Sequence, residues 1–581
     1  MQIITLQNFI LKKLKDETIN SLFHTTIGEI NFSESIELTK DSIISFETYF
    51  NSLDISTWKK SGVEQFSLEL QFQGDLEISL FHRIPFEKKL LSKHELNATN
   101  KKKVSLPIQN LESFNGYVFP EIVCNSPKAK ILKIRYLGSV ERVNEVRVAI
   151  CICTFKREEY VMRNMKILET TIFKDPLVKN SFKVFISDNG RTLKNEFKNH
   201  KNILVFPNIN SGGAGGFTRG LIEASKDNFQ PTHILFMDDD VLFEEETFYR
   251  LKNLLSILKD QFVGGAFFVY DEPNIQYEAG AIWKMSGAIP QRHKLDMKKP
   301  TSLLSNLSEP FSSYNGWWFS CFPISTFKDG KNFPYPFFIK GDDMEFGLRN
   351  KKEWVFLNGI SVWHESLEKK YSDMTAYYFI RNYSIVNSIH FDSFRILRIL
   401  FFFIKEILRE ILSFKYNTAK IICMGMEHFL EGPEFLKNSD PEENNKLVRE
   451  KCYKLGTGII PYKAEFSLAV ENRISPFKLL KMIFTLNGHF FPSSRTNAIV
   501  VNAQKYELSK IHNKNVVYYL DQVSSTFFKT ELNTKELMII LKEVIKIVTK
   551  IIMNFGSLKK AYRKSLNEFS NEEFWKKYLR L

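Results

Sequence analysis

Four apolar segments of buried type alternate with helix-length segments between residues 146 and 240, and this alternation constrains the fold more than any other feature of the chain. Continuous apolar strands are typical of a parallel sheet covered on both faces, and parallel strands need long crossovers. The pattern therefore predicts an α/β domain with a mostly parallel sheet. The strand segments are VRVAICICTF, FKVFISDNG, NILVFPN and HILFMDDD, and the helical segments include REEYVMRNMKILETTIF and GGFTRGLIEASKD.

The length of 581 residues is too great for one hydrophobic core, and the pattern along the chain predicts three domains. Residues 1–144 hold short alternating apolar runs such as FSLELQFQ and AKILKIRYLG, typical of an antiparallel β-sandwich. Residues 145–390 hold the α/β pattern. Residues 391–581 are predicted to be helical and basic, with amphipathic helices in FRILRILFFFIKEILREILSF and TKELMIILKEVIKIVTKIIMNFG.

The second of these helices carries Lys542, Lys546 and Lys550 at every fourth position, and we expect its apolar residues to fill the other side. Those apolar residues are Leu541, Val544, Ile545, Val548 and Ile552. Such a helix packs on its own domain, or it contacts a membrane surface or another subunit.

The formal net charge of +14 favours an anionic partner, which charge alone leaves open among nucleic acid, an acidic membrane surface and phosphorylated small molecules. Six cysteines without a CxxC pair argue against a disulfide framework or a zinc knuckle and fit a reduced, cytosolic compartment. The N-terminal segment lacks the apolar core of a secretory signal. No stretch reaches the roughly 18 uncharged apolar residues of a spanning helix.

Three consecutive carboxylates follow the apolar run HILFM. Alternate side chains of a strand point the same way, so Asp238 and Asp240 are predicted to project together while Asp239 faces the opposite side. Ligands of α/β sheets bind at the carboxyl ends of the strands, so the pair predicts a site for a hard cation such as Mg²⁺ or Mn²⁺. The alternative is a solvated acidic turn.

The segment NINSGGAGGFTRG, residues 208–220, is a glycine-rich turn that runs into a helix. Its glycines allow close backbone approach to a ligand, and a helix N-terminus near Arg219 favours an anion. It lacks the GK[ST] of a P-loop, and Thr218 replaces the last glycine of GxGxxG, which argues against P-loop ATP binding and dinucleotide binding.

A third group of candidates lies in GWWFSCFP and YPFFIKGDDMEFGLRN. Trp317 and Trp318 suit stacking on a sugar ring or base, although large aromatic residues more often lie in a core. The aromatic run ends in Asp342, Asp343 and Glu345, and a carboxylate beside it is a candidate general base for a hydroxyl group. His364, in VWHES, is either structural or a third metal ligand.

The order of these motifs resembles the family 2 glycosyltransferases of GT-A fold, a Rossmann-like α/β fold, and more narrowly the bacterial galactofuranosyltransferases that polymerise galactan. The resemblance extends to TYFNSLDISTWKK at residues 48–60. It implies that Asp238, Asp240 and His364 bind the divalent metal and that Asp343 is the base. It also implies that the nucleotide sugar is bound by Thr154, Phe155, Arg157, Asp188, Asn210, Gly215, Arg219, Asp239, Trp317, Trp318 and Asp342.

The function implied is inverting, metal-dependent transfer of galactofuranose from UDP-galactofuranose to a lipid-linked cell-surface glycan, such as a galactan, an O-antigen or a capsule. A peripheral location on the inner face of the bacterial plasma membrane and a homo-oligomer are also implied. A related transferase with another donor, such as dTDP-rhamnose, is the nearest alternative. A non-catalytic carbohydrate or nucleic-acid binding protein is an alternative of another class, but clustered carboxylates would repel a polyanion, so nucleic acid is not an expected partner.

Overall fold

The computed structural model describes the chain except residues 34, 112, 194–195, 259, 309, 367–370, 461–464, 467–474, 492–497 and 513. Among the described residues, no helix combines the length and apolar character needed to cross a membrane.

The N-terminal region is an antiparallel sheet of ten strands with two short helices. Its strands are β1 (Gln2–Asn8), β2 (Thr25–Ile27), β3 (Ile30–Phe32), β4 (Ile36–Thr39), β5 (Ile43–Ser45), β6 (Leu53–Asp54), β7 (Gln65–Ile84), β8 (Glu87–Ile108), β9 (Tyr117–Cys124) and β10 (Lys128–Val140). Its helices are α1 (Glu17–Asn20) and α2 (Ile55–Lys60).

The long strand β7 divides this sheet into two halves. Its first half pairs with β10 and its second half with β9. The change occurs at Gly74, which has a φ of +99°, and a Cβ there would lie 2.7 Å from the Cα of Ala129. Phe66 from the first half and Ile78 from the second belong to one hydrophobic cluster, which also contains residues of the α/β sheet such as Val148. The predicted antiparallel β domain is thus observed as one ten-stranded sheet, and its form as a two-sheet sandwich stays a prediction.

The central region contains the predicted α/β sheet. Four parallel strands, β11 (Val148–Thr154), β12 (Phe182–Asp188), β13 (Ile203–Pro207) and β14 (His233–Asp238), match the four apolar segments. The helices between and after them are α3 (Glu158–Thr170), α4 (Gly212–Lys226) and α5 (Glu246–Leu255). The sheet continues as a mixed sheet in the order β13-β12-β11-β14-β21-β15-β22.

The remaining elements of this region follow α5 in the chain. The strands are β15 (Phe262–Gly264), β16 (Ala266–Val269), β17 (Ile275–Glu278), β18 (Ala281–Lys284), β19 (Gly287–Pro290), β20 (Leu295–Asp296), β21 (Phe319–Pro323), β22 (Trp354–Val355) and β23 (Ser361–His364). The helices are α6 (Pro300–Asn306), α7 (Asp342–Asn350) and α8 (Met374–His390), with a 3₁₀ segment at Ile324–Gly330.

A backbone bridge joins the chain after β14 to strand β23. The amide of Leu242 donates to the carbonyl of Trp363, and the amide of Trp363 donates back, each over 2.8 Å. Strand β23 also pairs in parallel with β16. These contacts carry His364, the last residue of β23, to the acidic end of β14.

The C-terminal region is helical but not wholly so, which corrects the prediction. Its helices are α9 (Ile396–Leu412), α10 (Tyr416–Leu430), α11 (Pro433–Asn438), α12 (Pro441–Lys451), α13 (Pro476–Thr485), α14 (Leu508–Ile511), α15 (Thr534–Phe569) and α16 (Glu572–Tyr578). A four-stranded sheet lies among them, formed by β24 (Glu465–Phe466), β25 (Ala498–Asn502), β26 (Val516–Asp521) and β27 (Thr526–Glu531). Its segments VVYYLD and TFFKTE carry the β-branched and aromatic residues typical of strands.

Helix α15 packs on the C-terminal core through a narrower face than predicted. Val544 is buried, but Ile545 and Ile552 are exposed. The buried face is formed instead by Leu537, Ile540, Val544, Ile547, Ile551, Phe555 and Tyr562. Helix α16 then returns to the central region, where the indole nitrogen of Trp575 donates to the carbonyl of Pro334 over 2.8 Å.

Candidate active site

Asp238, Asp240 and His364 form a compact group of potential metal ligands, which we call the Asp–His cluster. One ligand atom from each residue lies within 4.8 Å of the other two. The His364 Nε2 atom lies 3.2 Å from Asp240 Oδ1 and 4.0 Å from Asp238 Oδ2. Two carboxylates and an imidazole are a suitable donor set for a divalent cation.

The orientation of His364 suits a ligand. Its Nδ1 atom lies 2.7 Å from the carbonyl oxygen of Glu365. Although burial opposes the charged form, the hydrogen bond and charge of Asp240 raise the pKa of His364 to about 9, so Nε2 carries a proton that points at Asp240. Loss of that proton, with the Nδ1 proton donating to the carbonyl of Glu365, would leave the Nε2 lone pair facing the two aspartates.

The residues around the Asp–His cluster fix the acidic turn. Arg157 donates to Asp240 Oδ2, and Thr154 donates to Asp239 Oδ2 over 2.6 Å. Asp239 thus has a hydrogen-bond partner of its own, and its Oδ1 atom also lies 3.5 Å from Arg157. Strand β14 ends at Asp238, so Asp239 and Asp240 belong to the turn after the strand. The side-chain amide of Asn164, a buried residue of α3, donates to the backbone carbonyls of Asp239 and Val241. Asn164 was not predicted, because a single asparagine within an amphipathic helix carries no motif.

Burial and neighbouring charges shift the pKa values of the two aspartates of the cluster in opposite directions. Burial, followed by the charge of Asp240, raises the pKa of Asp238 to about 7. Burial opposes ionisation of Asp240 as well, but the hydrogen bond and charge of His364, together with Arg157, lower its pKa to about 2. A bound cation would relieve the repulsion between the carboxylates, so the residues fit a metal ion.

Asp342 and Asp343 form a second acidic group, the Asp342–Asp343 pair, at the start of α7. Gly341 precedes them with a φ of +96°, and the amide of Met344 donates to Asp343 Oδ1 over 2.8 Å. Burial and then the charge of Asp342 raise the pKa of Asp343 to about 8. A carboxyl group with a raised pKa accepts a proton more readily than an ordinary one, as a general base requires.

Two polar residues that the sequence did not mark support this pair. The Asn382 amide of α8 donates to the carbonyls of Ile339 and Lys340, which fixes the loop before Asp342. Glu278, the last residue of β17, is buried, and burial raises its pKa to about 7. Its charge acts on Asp343. Neither residue belongs to a recognisable local pattern, so only tertiary packing places them.

The two acidic groups lie near each other across Cys153. Burial raises the pKa of the Cys153 thiol, and the charges of Asp239, Asp238 and Asp342 act on it as well. In the sheet register, Cys153 pairs with Asp238 and the next residue, Thr154, pairs with Asp188.

Residues 149–319 match the family model described as "Glycosyl transferase family 2". The galactofuranosyltransferase GlfT2 of Mycolicibacterium smegmatis is 25% identical over 439 residues, which cover 69% of this chain and 66% of that protein. The galactofuranosyltransferase GlfT2 of Mycobacterium tuberculosis is 24% identical over 440 residues, 69% of this chain and 67% of that protein. Residues 149–319 therefore form a glycosyltransferase domain of family 2.

The matches span about two thirds of the length of these relatives. Among solved structures, GalNAc-T7 with UDP, GalNAc and Mn²⁺ covers 45% of this chain and 50% of that chain, with 12% identity and a TM-score of 0.34. That likeness is too distant to bear on the fold. The family match confirms the prediction that the protein is a glycosyltransferase, and it argues against a non-catalytic binding protein.

The glycine-rich segment of the glycosyltransferase serves packing at several positions. Gly212 has a φ of +71°, and a Cβ there would lie 1.8 Å from the carbonyl oxygen of Phe338. A Cβ at Gly216 would lie 2.2 Å from Cys153 Sγ, so this glycine allows α4 to lie close to β11. At Gly215 a Cβ would meet the Ser211 side chain at 2.0 Å. At these three glycines, the close contacts that the missing Cβ allows are made with other parts of the protein.

The segment holds two further residues predicted to bind the nucleotide sugar, Asn210 and Arg219. Asn210 is buried just before α4. Arg219 lies in the second turn of α4 and not at its N-terminus. Its Nε atom donates to Glu223 over 2.9 Å, and its guanidinium lies 5.5 Å from the ring centre of Phe206.

The residues predicted for the nucleotide pocket gather at the ends of β11 and β12. Thr154 ends β11, and Phe155 and Arg157 follow it. Asp188 ends β12, and its two carboxylate oxygens accept from the amides of Gly190 and Leu193 over 3.0 and 2.7 Å. These bonds orient Asp188 and shape the loop beside the site.

The adjacent tryptophans lie in different environments. The ring of Trp317 is enclosed by Phe217, Phe236 and Phe346, with edge-on contacts of 5.0 to 5.9 Å, so the structure does not bring it to the acidic groups. Trp318 lies closer to them, since its carbonyl accepts from the amide of Asp238. Its indole nitrogen donates to Gly265 over 2.9 Å.

Proposed function

We propose that this glycosyltransferase is an inverting, metal-dependent enzyme that transfers galactofuranose from UDP-galactofuranose to a growing lipid-linked cell-surface glycan. The Asp–His cluster at the carboxyl end of β14 carries the proposal, because a sugar nucleotide leaves as a diphosphate whose charge needs a cation. The likeness to two galactofuranosyltransferases over 69% of the chain supports the choice of sugar.

Asp238, Asp240 and His364 would hold the divalent cation, Mn²⁺ or Mg²⁺. When bound, the ion supplies neutralisation of the charge that grows on the leaving diphosphate. Arg157, beside Asp240, adds a positive charge from the protein at the same end of the sheet. Thr154, Phe155 and Asp188 line the side on which we place the uridine and ribose.

Asp343 acts as the general base in this proposal. It removes the proton from the acceptor hydroxyl as that oxygen attacks the anomeric carbon, and a single displacement inverts the configuration there. The raised pKa of Asp343 supports this role, as does the charge of its neighbour Asp342 on Cys153, a thiol on which Asp238 and Asp239 also act.

The test is incubation of the purified protein with a metal ion, a short lipid-linked galactan acceptor and either UDP-galactofuranose or dTDP-rhamnose. Product mass that grows by hexose units with the first donor and not with the second supports the proposal. Growth with dTDP-rhamnose alone would overturn the donor assignment. Absence of growth and of metal-dependent UDP binding would overturn the metal-dependent mechanism.

A lipid-linked acceptor would bring the enzyme to the inner face of the plasma membrane, and the C-terminal helices support this part of the proposal. Leu397 and Phe401 of α9 are 80% and 72% exposed. On α15, exposed Ile545 and Ile552 lie among Lys542 and other lysines. Basic helices with exposed apolar side chains bind anionic membrane surfaces.

The prediction is that the protein sediments with anionic vesicles at low ionic strength and that Phe401→Glu weakens this binding about tenfold. Phe86→Glu, a change at a fully exposed phenylalanine of the N-terminal hairpin, should leave binding unchanged. Equal binding by all three proteins would exclude α9 as the contact. A homo-oligomer stays a prediction, which analytical ultracentrifugation without vesicles would test.

A further inference from the structure

A cavity of about 370 Å³ lies between α8, α9 and α10 and the loop at residue 506, outside the acidic groups described above. Its volume falls within the usual range of pockets for small ligands, roughly 300 to 1,000 Å³. Lys340, two residues before Asp342, lines the cavity together with Tyr383. The charges of Asp343 and Asp342 act on the Tyr383 hydroxyl. One end of the cavity is therefore beside the proposed base.

Arg409, one of the cations that line the cavity, is paired with two carboxylates. Arg409 Nη2 lies 2.5 Å from Glu406, and Arg409 Nε donates to Glu410 Oε1 over 3.1 Å. Its guanidinium also stacks on Tyr506, 4.0 Å from the ring centre. Asp373 adds a third carboxylate to the lining. An anionic ligand would meet this excess of carboxylates, so the cavity does not suit a phosphate or diphosphate.

Glu410 offers an acceptor that the protein leaves unused. The residue is fully buried, and its Oε1 atom accepts from Arg409 and from the Tyr506 hydroxyl, the latter over 2.9 Å. Among the described residues, the Oε2 atom has no hydrogen-bond partner. A buried carboxylate oxygen without a donor is costly, and a hydroxyl group of a ligand would satisfy it.

We propose that this cavity is an acceptor subsite that holds a neutral sugar residue of the glycan, away from the hydroxyl that reacts. Sugars combine hydroxyl donors with apolar ring faces, which match the free carboxylate oxygen of Glu410 and the rings of Tyr371, Tyr383 and Tyr506. This inference rests on the proposed function, because it takes the acceptor to be a saccharide chain.

The test compares acceptors of two lengths, a disaccharide and a tetrasaccharide of galactofuranose, with UDP-galactofuranose as donor. Wild-type protein should have a higher kcat/KM for the tetrasaccharide, and Glu410→Gln and Tyr506→Ala should each lower that value about tenfold. Their kcat/KM for the disaccharide and their KM for the donor should stay at the wild-type values. Phe86→Ala, at an exposed aromatic residue far from the cavity, is the matched control and should change neither acceptor.

Equal losses on both acceptors, or no loss on either, would overturn the subsite. Tyr506 lies at the exposed side of the cavity, at 49% exposure, so its variant tests the inference even if Glu410→Gln does not fold. Thermal unfolding of each variant shows whether it is folded.

Calorimetric binding of the tetrasaccharide without donor separates this inference from the proposed function. Binding by wild type that both variants weaken supports the subsite even if no galactofuranose is transferred, in which case only the proposed donor fails. Transfer by wild type with tetrasaccharide binding unchanged in the variants overturns the subsite and leaves the proposed function intact.

Discussion

The two acidic groups of the active site differ in the protein groups that contact their carboxylates. In the Asp–His cluster, Arg157 and His364 contact Asp240 and hold its pKa low. In the Asp342–Asp343 pair, Asp343 accepts a backbone hydrogen bond from Met344, and burial still raises its pKa. A carboxylate in contact with cationic groups, such as Asp240, stays ionised and suits a cation, whereas Asp343, on which burial outweighs the charge of Lys340, retains a proton and suits proton transfer. The same residue type thus takes two proposed roles through its surroundings.

The largest expected effect comes from Asp240→Ala, which removes one ligand of the Asp–His cluster. We expect kcat/KM to fall roughly 10³- to 10⁴-fold, because both the affinity for the metal and the stabilisation of the leaving diphosphate are lost. Metal-dependent UDP binding, measured by calorimetry, should be lost as well. Asp392→Ala, at an aspartate exposed on the surface, is the control and should behave as wild type. Retention of a tenth of the activity by Asp240→Ala would rule out the metal role.

The second group should respond differently to a similar change. Asp343→Asn keeps the shape of the side chain but removes the proton acceptor, so kcat should fall about 10²- to 10³-fold. Affinity for UDP with metal should stay near the wild-type value, in contrast to Asp240→Ala. If UDP affinity falls together with kcat, the division of roles between the two groups is wrong.

The pH dependence of the reaction sharpens the same contrast. A base works when it is deprotonated, and the pKa of Asp343 is raised to about 8. At saturating metal, kcat/KM should rise about tenfold per pH unit from pH 6 and level off above about pH 8. The residual activity of Asp343→Asn should lack this rise. A wild-type profile that is flat between pH 6 and pH 8 would contradict a base with a raised pKa.

The sequence predicted the parts of this site that depend on local pattern. The apolar segments define β11 to β14, and Asp238 and Asp240 lie together as predicted, although β14 ends at Asp238 and the turn after it places Asp240. His364 reaches them only because the bridge between Leu242 and Trp363 joins two distant segments. The family resemblance marked it, but residue spacing alone left its role open. Asn382 and Glu278 were missed for the same physical reason, since their positions depend on tertiary packing.

Two features of the structure, the C-terminal sheet and the different environments of Trp317 and Trp318, do not follow from local sequence pattern. The C-terminal sheet was missed because its strands are short and lie between strongly periodic helices. The adjacent tryptophans lie in the turn before β21, which begins at Phe319, and tertiary packing gives the two rings different neighbours. Trp317 lies among phenylalanine rings, while Trp318 lies behind the acidic turn. A motif of two aromatic residues does not distinguish a core residue from a binding residue.

The smallest expected effect concerns Arg219, a residue of α4 outside the Asp–His cluster. Arg219 was predicted to bind the nucleotide, but in the structure it pairs with Glu223 four residues along α4. Pairs of this kind contribute about 0 to 1 kcal/mol, so Arg219→Ala should change the KM for the donor less than about twofold. Arg157→Ala, which removes the guanidinium that contacts Asp240, is the matched comparison and should raise that KM about tenfold or more. A larger effect of Arg219→Ala than of Arg157→Ala would extend the donor site along α4 and restore the prediction made from the sequence.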